Sequence, residues 1–297
     1  MRPPIHIQPF FHAASHTVSY LLADMQTRRA AVIDPVLDFD YPSGRISFEF
    51  ARELLRVVQQ QGWVLDWILE THVHADHLSA AHWIKQQTSA RVAVGEHIGA
   101  VQKIFRARFN LDDVSQDGRE FDRLLKDGDS VMVGQTSVQV LHTPGHTPAC
   151  VAYHIRTAAQ DAVFVGDTLF MPDVGTARAD FPGGDARRLY RSIRRLLALP
   201  PDTRLLMCHD YPPAGRDACG WESTVAQQRA HNIHVHAGVS EDAFVALREQ
   251  RDATLPAPTL LLPAIQVNIC AGRLPPAENN GVPYLKIPLQ IVKDPAF

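Results

Sequence analysis

The chain has 297 residues, 45% of them hydrophobic, with 29 basic and 32 acidic residues and a formal net charge of −3. That is enough apolar material for one large domain, or a domain plus an appendage, and so balanced a charge offers no electrostatic footprint to nucleic acid or an anionic membrane, which leaves a small substrate. No apolar run approaches the ~20 residues that span a bilayer and the amino terminus lacks an apolar signal core, so a soluble, cytoplasmic protein is expected.

Residues 18–22 and 30–33, the latter closed by Asp34-Pro35, predict a starting β-hairpin. Residues 48–60 carry helical periodicity through Phe50, Leu54, Leu55 and Val58, and Gly62 then leads into the strand Trp67-Ile68-Leu69. At its end stands Thr71-His72-Val73-His74-Ala75-Asp76-His77. Alternate residues of an extended backbone share a face, so His72 and His74 can converge on one ion while Asp76 and His77 turn toward a second.

Helices are expected over 80–87 and 99–109, with a strand over 91–94 between them. Strands 130–133 and 137–141 flank Gly134-Gln135-Thr136 as a hairpin that feeds Pro144-Gly145-His146-Thr147. Two more strands, 151–155 and 162–165, follow, and the second ends at Gly166-Asp167. Asp185 is placed to cap a helix with the apolar stripe Leu189, Ile193, Leu196 and Leu197, whose arginines are expected on a solvated face. Residues 205–207 form a strand that delivers Cys208-His209-Asp210-Tyr211.

From about His231 the pattern changes. A helix is expected over 241–250, after which prolines from Pro256 to Pro283 divide the tail into short extended pieces. Its apolar residues, Leu260 to Leu262 with Ile265, Val267 and Ile269, require burial against the main body or another subunit, which leaves a homodimer open. The expected organisation is a catalytic domain over 1–230 and an extension over 231–297.

Four strand-end loops thus carry imidazole or carboxylate groups: His72, His74, Asp76 and His77, then His146, Asp167 and His209. Convergence at one sheet edge is the economical reading, and ligands held by a rigid sheet suit a catalytic metal with open positions. The four cysteines have no Cys-x-x-Cys spacing, so neither a disulfide framework nor a zinc knuckle is indicated; Cys150 and Cys208, beside candidate ligands, are read as packing residues.

The series His72-x-His74-x-Asp76-His77, Pro144-Gly145-His146-Thr147, Gly166-Asp167 and Cys208-His209-Asp210 resembles the motif series of the metallo-β-lactamase superfamily. The resemblance runs over roughly residues 9–231 and implies an α/β fold, a four-layered αββα sandwich with the metal at the edge of two sheets. Within the superfamily the chain is most similar to the persulfide dioxygenases, through His16-Thr17-Val18-Ser19-Tyr20-Leu21, Gly145-His146-Thr147-Pro148-Ala149-Cys150, Gly175-Thr176-Ala177-Arg178-Ala179-Asp180-Phe181 and His209-Asp210-Tyr211. That resemblance implies one Fe²⁺ held by His72, His146 and Asp167. His74, Asp76, His77 and His209 would surround it or hold a second metal.

The implied reaction converts glutathione persulfide, O₂ and water into sulfite and glutathione. Arg178 and Tyr211 are the expected substrate contacts, with an internal pair between Arg178 and Asp180 as the rival reading of that arginine. The competing expectation is a two-zinc thioesterase resembling glyoxalase II. There His72, His74 and His146 would bind one Zn²⁺, Asp76, His77 and His209 the other, and Asp167 would bridge. Against it stand Asp180-Phe181, where that family carries Phe-Glu, and a tail without an obvious helical glutathione-binding domain.

Overall fold

The computed structural model describes residues 5–289. Strands β1 (Ile5–His12), β2 (Thr17–Asp24) and β3 (Arg29–Ile33) come first, then β4 (Val36–Asp40), β5 (Arg45–Ser47), α1 (Glu49–Gln60), β6 (Val64–Leu69), β7 (Leu78–Ser79), α2 (Ala81–Thr88), β8 (Arg91–Gly95), α3 (Ile98–Phe109) and β9 (Arg123–Leu125). The second half supplies β10 (Ser130–Val133), β11 (Thr136–His142), β12 (Val151–Arg156), β13 (Asp161–Phe164), α4 (Ala186–Leu196), β14 (Arg204–Leu206) and β15 (Glu222–Thr224). Three helices follow: α5 (Val225–His231), α6 (Glu241–Asp252) and α7 (Leu261–Asn268). One sheet has the order β1-β2-β3-β6-β8-β9, a second runs β10 to β15 in sequence order, and β5-β4-β7 form a small third.

Strand alternation builds three apolar cores between four layers. Leu21 and Ala23 of β2 point outward to Leu54 of α1, Ile84 of α2 and Phe105 of α3. Val18, Tyr20 and Leu22 of the same strand point inward, where they meet Val138, Tyr153 and Phe164 of the second sheet. On that sheet's far side Ala152 and Val163 pack with Leu189 and Ile193 of α4 and Phe244 of α6. This is the αββα sandwich.

The elements foreseen in the sequence are present with slightly shifted ends. Asp185 caps α4, accepting from the Arg188 amide at 2.8 Å. The arginines of α4 are not simply solvated: Arg187 and Arg191 pair with Glu241 at 2.7 and 3.1 Å and help seat α6 on α4. Edge strand β1 had no expectation, and it pairs along its length with β2, from Ile5 opposite Asp24 to His12 opposite Thr17.

The tail differs from the expected run of extended pieces, because residues Leu261–Asn268 are helical. Pro263 falls in the first turn, where a backbone N–H has no intrahelical acceptor, so the ring is tolerated there. Ala264, Ile265, Val267 and Ile269 join the outer core of the first sheet. Among the described residues no helix is long and apolar enough to cross a membrane.

Candidate metal centre

The loops that follow β6, β11, β13 and β14 meet at one edge of the sandwich, and two glycines let them approach. A Cβ on Gly145 would stand 2.3 Å from the Leu189 amide nitrogen, and one on Gly166, with φ +52°, would stand 2.8 Å from Thr71 Oγ1. Glycine therefore presses the His146 loop onto α4 and the Asp167 loop onto Thr71. The two sheets are stitched here by Val18 N to Cys208 O at 2.7 Å and Asp210 N to His16 O at 3.2 Å.

Hydrogen bonds fix which nitrogen each imidazole presents. Nδ1 lies 3.0 Å from Leu78 O in His77, 2.8 Å from Arg178 O in His146 and 3.3 Å from His16 O in His209. A carbonyl only accepts, so each Nδ1 carries the proton and each Nε2 offers its lone pair. His72 reaches the same state by relay: Thr71 Oγ1 donates to Asp34 Oδ2 at 2.8 Å, so it accepts from His72 Nδ1 at 3.0 Å. Nε2 of His72, His77 and His209 and Oδ1 of Asp167 are buried without a hydrogen-bond partner. Buried lone pairs left unpaired are costly unless something binds them, and this donor set fits a metal ion.

Ligand atoms of His72, His146 and Asp167 lie within 4.8 Å of one another, and a separate group of the same compactness joins His74, Asp76 and His77. Asp167 faces both ways: Oδ2 is 3.8 Å from His72 Nε2 and 3.7 Å from His146 Nε2, while Oδ1 is 3.3 Å from His209 Nε2. His209 Nε2 is also 3.5 Å from Asp76 Oδ2. All seven ligand candidates therefore meet in one place.

Burial holds the pKa of His72 well below the ordinary imidazole range and, with the neighbouring His74, lowers that of His77 to about 3. Both are neutral at neutral pH, as ligands must be. Burial also opposes a charge on His74, but Asp34 and then Glu70 outweigh it and raise its pKa to about 10. The sequence reading missed Asp34 and Glu70, although a carboxylate at the end of β3, beside a proline, was a signal. Burial raises the thiol pKa of Cys150 to about 12 and that of Cys208 well above the usual range, so both remain protonated packing groups.

A cavity of about 840 Å³ opens above the ligands, with Asp76, His146 and Asp167 on its lining and Phe170, Phe181 and Leu260 among its apolar walls. Arg178 and Tyr211 line it too. The Arg178 guanidinium is bound in bidentate fashion by Asp180, at 2.6 and 2.7 Å, and donates to Pro256 O at 2.7 Å. Tyr211 stacks on His209 with ring centroids 5.7 Å apart and is 41% exposed, which leaves its outer face open.

The metallo-beta-lactamase superfamily profile matches residues 13–209. The chain belongs to the metallo-β-lactamase superfamily. A probable metallo-hydrolase of Burkholderia pseudomallei is 54% identical over 96% of this chain and 99% of its own. Glyoxylase B2 of Dictyostelium discoideum is 46% identical over 97% of this chain and 98% of its own. Human mitochondrial persulfide dioxygenase ETHE1 is 28% identical over 91% and 89% of the two chains. The crystal structure of ETHE1 from Myxococcus xanthus superimposes with a TM-score of 0.70 at 31% identity, covering 90% of this chain and all of that one. The chain spans 66% of the length of a beta-lactamase hydrolase-like protein of Xylella fastidiosa, at 49% identity. In this superfamily one scaffold hosts different reactions, so the chemistry has to be argued from the site.

Proposed function

We propose that the protein is a persulfide dioxygenase that uses a single Fe²⁺, held by His72, His146 and Asp167, to oxidise glutathione persulfide with O₂ in the cytoplasm. The reading rests on one observation: two imidazoles and one carboxylate gather within 4.8 Å, while His74 stands outside that group with its Nε2 3.0 Å from Asp34. Two histidines and a carboxylate on one face leave three of six octahedral positions free. Ferrous iron there would supply adjoining positions for a sulfur and for O₂, together with the electrons that activate O₂.

The rest falls to the chain. Asp167 compensates charge, and carbonyls behind His146, His77 and His209 fix the rings. The apolar walls restrict water, and Arg178 and Tyr211 are the proposed contacts for the glutathione part. Overall, persulfide, O₂ and water yield sulfite, glutathione and two protons; the terminal sulfur gives up four electrons and O₂ accepts them. The similarity to the persulfide dioxygenase ETHE1 supports this reading along nearly the whole chain. Oxygen uptake and sulfite release by the iron-loaded protein test it.

One observation favours a second reading, the two-zinc thioesterase. Asp167 Oδ1 lies 3.3 Å from His209 Nε2, so the carboxylate is placed to bridge a second seat formed with Asp76 and His77. The similarity to glyoxylase B2 points the same way. Hydrolysis of lactoylglutathione by protein holding two zinc ions distinguishes it.

A further inference from the structure

We infer that α7 is part of the metal centre through Asn268, a positioning residue for the loop that carries His72 to His77. Asn268 is 5% exposed. Its Nδ2 donates one hydrogen to His74 O and the other to His77 O, each at 2.8 Å, and its Oδ1 accepts from the Ser79 amide at 2.8 Å. Both amide hydrogens are thus used, and a flipped amide would set its oxygen against two carbonyls and its NH₂ against an N–H.

The two carbonyls bracket the tip Ala75-Asp76, so pinning both fixes the course of the backbone from which Asp76 and His77 project. Ser79, held at its amide, passes its hydroxyl hydrogen to Glu70, whose other oxygen is 3.6 Å from His74 Nε2. Asn268 itself is firmly seated: Val267 and Ile269 beside it are in the core, and Gln102 Nε2 donates to Ile269 O at 3.0 Å. A buried peg from the far end of the chain therefore sets the ligand loop, as outer partners set ligands in metal sites generally. This holds for one iron or two zinc ions alike, and so goes beyond the proposed reaction.

The experiment needs no catalysis. The protein is loaded with zinc, metal transfer to a chromogenic chelator is followed, and melting is recorded with and without the metal. Asn268→Ala and Asn268→Leu, which keeps the branching but removes the polar atoms, are expected to hold zinc at least ~10-fold more weakly, the usual scale for loss of an outer partner, and to gain less thermal stability from the metal. Gln266→Ala is the control, because Gln266 bonds the Lys286 backbone at 2.9 Å on both amide atoms and does not touch the loop. It should lower the melting temperature and keep the parental affinity. Should Asn268→Ala not fold, Asn268→Ser is read in the same way. Parental zinc affinity in the Asn268 variants, with equal losses of melting temperature in metal-free and loaded protein, would overturn the inference.

Discussion

Nε2 of His74 lies 3.0 Å from Oδ1 of Asp34, and neither side chain is more than 3% exposed. Asp34 also accepts from the Thr71 amide at 2.7 Å and from its hydroxyl at 2.8 Å, so one carboxylate orients His74 directly and His72 through Thr71. Removing one partner of a buried pair leaves the other desolvated and unpaired. Asp34→Ala should therefore destabilise the metal-free protein by about 3–5 kcal/mol in urea unfolding. Glu222→Ala, which breaks the exposed pair with Arg204, should cost under about 1 kcal/mol. Similar losses in both variants would count against this role for Asp34.

Asp167 faces His72 and His146 with one oxygen and His209 with the other. Asp167→Ala should abolish iron retention and turnover together. His209→Ala should leave a single iron bound and part of the turnover, since His209 lies outside the compact group of His72, His146 and Asp167. Metal content with oxygen uptake on both variants checks this; unchanged activity in Asp167→Ala contradicts the ligand assignment.

Arg178 lines the cavity with its guanidinium shared between Asp180 and Pro256 O. If a glutathionyl carboxylate draws on that charge, Arg178→Ala should raise KM by about 10-fold, the scale of one charged hydrogen bond, and change kcat less. An unchanged KM with a lower melting temperature would make Arg178 a brace of the cavity wall.

Acid should weaken the metal-free protein before it protonates the carboxylates. Burial lowers the pKa of His77 to about 3 and that of His234 to about 4, against an ordinary 6.5. Between those limits the unfolded chain binds protons that the folded chain refuses, so stability present above pH 6.5 is lost as pH falls. The urea midpoint should drop between about pH 7 and about pH 5, the lowered pKa values of His72 and His146 adding to the fall and the raised value of His74 opposing it. A midpoint constant across that window would contradict the neutral, buried state of these rings.

The strands and ligand loops were legible because the strands alternate and the loops follow apolar runs, as at Leu69 before His72 and at Phe164 before Asp167, whereas the four-layered sandwich came from the resemblance to the metallo-β-lactamase superfamily. What the sequence did not reveal was long-range or masked by local chemistry. Pro263 disguised α7, since a proline in a first turn has the same letter as one that breaks a helix. Asn268 was invisible because its partners, His74 and His77, lie 194 and 191 positions away. Asp34 looked like an ordinary turn carboxylate beside Pro35, and only the folded loop brings it to His74. Arg178 keeps both of its readings, because it pairs with Asp180 and lines the cavity at once.

The proposed reaction is oxygen chemistry on a single iron. The direct measurement is oxygen uptake and sulfite release on adding glutathione persulfide to anaerobically purified, iron-loaded protein, with metal content determined on the same sample. Oxygen consumption matched by sulfite is expected, with about one iron per chain as a facial set of two histidines and a carboxylate requires. No uptake, with two zinc ions bound and lactoylglutathione hydrolysed, would contradict it.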